Sequence, residues 1–127
     1  MECVCWSRII LMKAISLKQP WANLVASGCK TIETRTWPTK YRGKILIVSS
    51  KSPANLGPAG TALAIAEIVD CRPMTEEDED AACCKIYPRA QAWVLKDIRK
   101  IEPFAVKGQL GIYEVDDELV GSKWLGS

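Results

Sequence analysis

The stretch Thr61-Ala-Leu-Ala-Ile-Ala-Glu-Ile-Val-Asp70 is the most apolar strand-like segment of this sequence, and it carries a carboxylate in its middle. Read at a period of two, Leu63, Ile65, Glu67 and Val69 share one face. A carboxylate among such neighbours is costly to bury unless a cation or a hydrogen-bond donor meets it. A second segment, Gly28 to Trp37, offers partners. It also alternates like a strand, with Glu33, Arg35 and Trp37 on one face and Ile32, Thr34 and Thr36 on the other. Two strands that each aim charge along one face predict a polar pocket.

The rest of the chain sets these strands in order. Lys13–Leu17 reads as a short strand, and Pro20 then opens a helix in which Trp21, Leu24 and Val25 fall at helical spacing. Gly28 stops that helix, and Pro38 ends the strand that follows. Tyr41-Arg-Gly43 turns into a buried strand, Lys44–Ser50, and the proline- and glycine-containing segment 52–60 reads as a loop. The strand bearing Glu67 runs from Ala62 to Cys71. Thr75 then caps a helix whose first turn is loaded with acid, as the helix dipole favours. These contiguous acids read as a solvated helix terminus rather than a cation site. Gln91–Glu102 and Gln109–Asp116 supply two more strands, and 116–125 is a closing helix or a tail. The expected fold is α+β: a small mixed barrel of five or six strands with two or three helices.

At 127 residues the chain suits one core. A formal charge of +2 is too small to attract nucleic acid through the overall field, so any such role needs a local patch or pocket. The sequence contains no histidine, which excludes Ser-His-Asp and Cys-His catalysis and the usual His-containing zinc sites. Six cysteines without zinc-knuckle spacing read as free thiols in a reducing cytoplasm, so no metal or cofactor is expected. No stretch has the length of a membrane-spanning helix. Met12-Lys-Ala-Ile-Ser-Leu17 makes a natural beginning. Residues 1–11 therefore read as an upstream extension, 12–120 as one domain and 121–127 as a tail.

Several side chains admit two readings. Lys30 and Glu67 form either a proton-shuttling pair in a dry cleft or a buried ion pair that satisfies both charges. Glu33 and Arg35 either pair with each other, or Arg35 holds a phosphate or a base edge. Trp21 reads first as core and second as a stacking platform, whereas Gln19 has no apolar duty and suits a polar cleft. Ser49, Ser50 and Lys51 at a strand exit suit phosphate contacts. Trp37 to Arg42 is a basic-aromatic patch that fits either RNA or a solvated hairpin end.

Two segments carry a family resemblance. Ile15-Ser-Leu-Lys-Gln-Pro-Trp-Ala22 followed by Gly28-Cys-Lys-Thr-Ile-Glu-Thr-Arg35 resembles the ASCH domain, a branch of the PUA-like superfamily. Tyr41–Lys51, Ala92-Trp-Val-Leu95 and Pro103–Tyr113 resemble its later strands. The resemblance implies a PUA-like β-barrel and a cytoplasmic protein whose partner is RNA or a nucleoside. Gln19, Trp21, Lys30, Glu33, Arg35, Ser50, Lys51 and Glu67 would line the cleft. Some bacterial members are hydrolases, either 4-acetylcytidine amidohydrolases or ribonucleases. In the amidohydrolases the working groups are a lysine, a threonine three positions on and a glutamate on a later strand. Lys30 and Glu67 would take the first and last of these roles, and Glu33 stands where the threonine would be.

Overall fold

The computed structural model describes residues 11–50, 59–116 and 120. Along the chain run β1 (Leu11–Leu17), α1 (Trp21–Ala26), β2 (Ile32–Arg35), β3 (Gly43–Ser49) and β4 (Thr61–Pro73). A 3-10 turn (Glu76–Asp78), α2 (Glu79–Ala82), β5 (Gln91–Ala105) and β6 (Ile112–Asp116) follow. The strands form one mixed sheet in the order β2-β5-β4-β3-β1-β6. Among the described strands only β1 and β3 pair in parallel, and α1 and β2 lie in the connection that a parallel pair requires. The α+β architecture matches the sequence reading, but the sheet curls without closing.

β3 is the spine of the molecule. Ile45 and Ile47 face one apolar cluster with α1, Trp93 and Ile68; Leu46 and Val48 face a second with Ala14, Ile65 and Val115. A strand covered on both sides has no use for polar residues, which is why Ile45–Val48 is an unbroken apolar run. Each of these four side chains contributes roughly 1.5–3 kcal/mol by burial.

β4 departs from simple alternation. Its register shifts at Ala62/Ala64, Ile65/Glu67 and Ile68/Asp70 against β5, each a local bulge. Leu63 therefore joins the cluster of Ala64, Ala66 and Ile68, while Ile65 faces the opposite one. The expected common face of Leu63, Ile65, Glu67 and Val69 is thus broken. Asp97 absorbs one shift with a left-handed backbone, φ 53°.

Thr75 caps as expected, but through a 3-10 turn. Its backbone N–H donates to Asp78 Oδ2 at 2.8 Å, and Arg72 grips both Asp78 oxygens at 2.7 and 2.9 Å. That grip holds the Asp78 carboxyl well below the usual range. Glu76, Glu77 and Asp80 stay exposed.

Leu11 already belongs to β1, opposite Asp116, so one residue of the expected extension is part of the sheet. Lys51, most of the expected loop, residues 1–10 and residues 121–127 lie outside the described residues. No helix among those described is long and apolar enough to cross a membrane.

Candidate functional site

Gly28, at φ +85°, ends α1 and redirects the chain into β2. The Lys30 N–H donates to the Leu24 carbonyl at 3.0 Å, Thr31 N–H donates to Ala81 O at 2.9 Å, and Thr31 O accepts from Leu95 N–H at 2.9 Å. The segment is thereby fixed to α1, α2 and β5 before β2 begins. These anchors set the direction of Lys30, whose side chain is 1% exposed.

The Lys30 ammonium donates to the carbonyl of Ala82 and lies 3.8 Å from Glu33 Oε1. Arg35 Nε donates to Glu33 Oε2 at 2.9 Å, and Arg35 Nη2 donates to the Ser16 carbonyl at 2.8 Å. Burial draws the Lys30 ammonium below its ordinary value of 10.5, opposed chiefly by Glu33. Burial likewise pushes the Glu33 carboxyl above its ordinary 4.5, opposed chiefly by Arg35. Both shifts favour the uncharged forms, so moving a proton between the two groups is easier here than in water.

These groups form the floor of a cavity of about 950 Å³. Trp21, 37% exposed, stands in its wall with Tyr87 and Cys84. Ser50 lies at the β3 exit, and the loop from Val106 to Gly111 forms the far side. Ser16 also lines the cavity, its hydroxyl 2.7 Å from the Tyr113 hydroxyl.

The structure thus brings Trp21, Lys30, Glu33, Arg35 and Ser50 to one cavity. Trp21 is a wall of it rather than core. Gln19 is not in the lining: its Oε1 accepts from the Asn23 N–H at 3.0 Å and its Nε2 donates to Asn23 Oδ1 at 3.1 Å. It serves the first turn of α1, which explains a buried polar side chain without a ligand.

Glu67 is also outside the lining. β5 separates β4 from β2, the carboxylate that meets Lys30 is that of Glu33, and the cross-strand neighbours of Glu67 are Lys44 and Lys96. The Trp37–Arg42 patch lies outside the cavity lining and stays exposed at Trp37, Lys40 and Arg42. Trp37 packs edge-to-face on Trp93 at 4.8 Å, and Arg42 donates to the Thr39 and Tyr41 carbonyls.

Sequence reasoning missed Cys84, Tyr87 and the 106–111 loop. Each lies about fifty residues or more from Lys30 in the chain; the bonds of Lys30 and Thr31 to Ala82 and Ala81 bring Cys84 and Tyr87 there with α2.

A profile of the ASCH domain matches residues 15–105. The chain belongs to the ASCH domain family. Mouse activating signal cointegrator 1 is 22% identical over 130 aligned residues, covering 83% of this chain and 22% of that protein. The human protein of the same name is 42% identical over 41 residues, covering 32% of this chain and 7% of its own length. This ASCH chain therefore spans less than a quarter of the curated relatives it matches. An ASCH crystal structure from Zymomonas mobilis superposes with a TM-score of 0.66 at 17% identity, over 84% of this chain and 89% of that one. A tyrosine-to-phenylalanine variant of it gives 0.62 at 16% identity, over 84% and 91%. At such identities the likeness speaks for the ASCH fold alone.

Proposed function

We propose that this ASCH domain is a cytoplasmic binding module whose cavity accepts a nucleobase, as a nucleoside or within an RNA segment. One observation carries the reading: the accessible ring of Trp21 shares a cavity with the buried to half-buried Lys30–Glu33–Arg35 group. An aromatic face stacks on any base, and fixed polar groups below it read the base edge. The volume lies within the usual range for small-ligand sites. Titrating the protein with ribonucleosides and short RNA while following tryptophan fluorescence tests this. Saturable quenching that is lost in Lys30→Met and retained in Glu67→Gln is expected. No binding by any of these ligands would remove the reading.

A second reading, a metal-independent hydrolase, is favoured by the placement of Lys30 and Glu33 3.8 Å apart in one cavity, where burial lowers the one and raises the other. In it Lys30 takes a proton from water, which attacks the acyl carbonyl of a substrate such as 4-acetylcytidine. The C–N bond breaks, the leaving amine is protonated, and acetate and cytidine result. Glu33 is the acid in this version, because Glu67 does not reach the cavity. Incubation with 4-acetylcytidine and with RNA distinguishes the readings. Turnover abolished by Glu33→Gln but not by Glu67→Gln favours the enzyme, and binding without turnover favours the module.

A further inference from the structure

Two lysines outside β2 enter the wall of the cavity. Lys18 sits in the turn between β1 and α1, and Lys107 in the loop between β5 and β6. Both are exposed, and among the described residues neither forms an ion pair with a carboxylate. Deeper in, Lys30 and Arg35 share the single carboxylate of Glu33.

The charge is therefore divided by depth. The lining carries four cations and one carboxylate, a formal +3, in a chain whose whole formal charge is +2. Passing a proton from Lys30 to Glu33 leaves that sum unchanged. The floor keeps one net charge and the two exposed lysines add the other two. A neutral nucleoside would leave those two unmatched, whereas a phosphate monoester brings about −1.5 to −2 at pH 7.

We propose that the ligand is a phosphorylated nucleoside unit, with its base against Trp21 and its phosphate held by Lys18 and Lys107. The inference rests on the nucleobase reading above and adds the phosphate to it. The two charges come either from the monoester of a free mononucleotide or from two successive phosphodiesters of a single RNA strand, one at each lysine.

Calorimetric titration of the wild type and of Lys18→Gln/Lys107→Gln tests it, with ribonucleosides, their 5′- and 3′-monophosphates and an RNA hexamer as ligands. Both lysines are exposed, so the double variant should fold. In the wild type a monophosphate should bind about tenfold more tightly than its nucleoside at low salt, and the advantage should shrink as salt rises. The double variant should lose that advantage and keep its affinity for the nucleoside. If the strand is the natural source, the hexamer should bind more tightly than any monophosphate. Removing both lysines should then flatten its logarithmic salt dependence by about 1.4. Equal affinity for nucleoside and monophosphate in the wild type overturns the phosphate assignment and leaves the nucleobase reading standing, as does an advantage that survives in the double variant. Failure of every nucleoside, nucleotide and hexamer to bind overturns the nucleobase reading itself.

Discussion

Lys30 Nζ lies 3.8 Å from Glu33 Oε1, and both side chains are nearly withdrawn from water. With Arg35 on its other oxygen, Glu33 is the only carboxylate among the cavity-lining residues and holds two buried or half-buried cations. Breaking such an arrangement from the carboxylate side is expensive, because the cations stay behind uncompensated.

Glu33→Gln is therefore expected to lower stability by about 3 kcal/mol in urea denaturation at pH 7. The sign with pH follows from Lys30. Its folded value lies below 10.5, so the unfolded chain binds more protons in the window just beneath 10.5, and stability rises with pH there. Loss of the Glu33 charge deepens that depression. The deficit of the variant should be smaller at pH 10 than at pH 7, and an equal deficit would refute the account.

The two tryptophans beside the β2 segment should separate function from stability. Trp21 is 37% exposed, so Trp21→Ala should shift the unfolding midpoint little. It should weaken ligand binding by the loss of a stacked base, about 1–3 kcal/mol, seen by titration. Trp93 is 1% exposed and donates its indole N–H to the Trp37 carbonyl at 3.2 Å. Trp93→Ala should cost about 3–5 kcal/mol.

A side chain at Gly108 has no room. A Cβ there would sit 2.9 Å from Ser16 Oγ, which is held by the Tyr113 hydroxyl. Gly108→Ala should cost about 1–2 kcal/mol by displacing that hydroxyl. Ser16 Cβ would remain 3.8 Å away, so Ser16→Ala should rescue much of the loss. Additive effects in thermal melts would rule the clash out.

Acid should attack a different place. The folded Asp78 carboxyl titrates below its ordinary 3.8, so its contribution is complete above that value and lost as pH falls below it. Asp78→Asn should remove on the order of 2 kcal/mol at pH 7. The variant should also show a flatter decline than the wild type between pH 4 and 2, measured by circular dichroism.

Local signals reveal much of this molecule in its sequence. The β3 run, the Pro20 and Gly28 limits of α1, and Thr75 at its turn all depend on neighbours in the chain, and all stand where the residues imply. Lys30, Glu33 and Arg35 reach one cavity because a short segment fixes their spacing. Glu67 misled because alternation assumes an unbroken ladder. Three register shifts between β4 and β5 have no residue signature comparable to a proline or a turn glycine. Strand order was equally hidden, and with β5 between β2 and β4 the cross-strand neighbours of Glu67 are Lys44 and Lys96 in place of Lys30. Trp21 shows a further limit: helical spacing assigns a side chain to a face without saying whether that face is covered.

The hydrogen bond from Arg35 to Ser16 joins β2 to β1, four steps apart in the sheet order. In a flat sheet that separation would be about 19 Å, farther than an arginine extends. The bond thus acts as a clasp across the aperture of an unclosed cylinder, and it is drawn from the same side chain that lines the cavity. A ligand that competes for the Arg35 guanidinium would slacken the clasp as it binds. The width of the entrance and the chemistry inside it are therefore one variable, and Arg35 cannot be altered for one without the other.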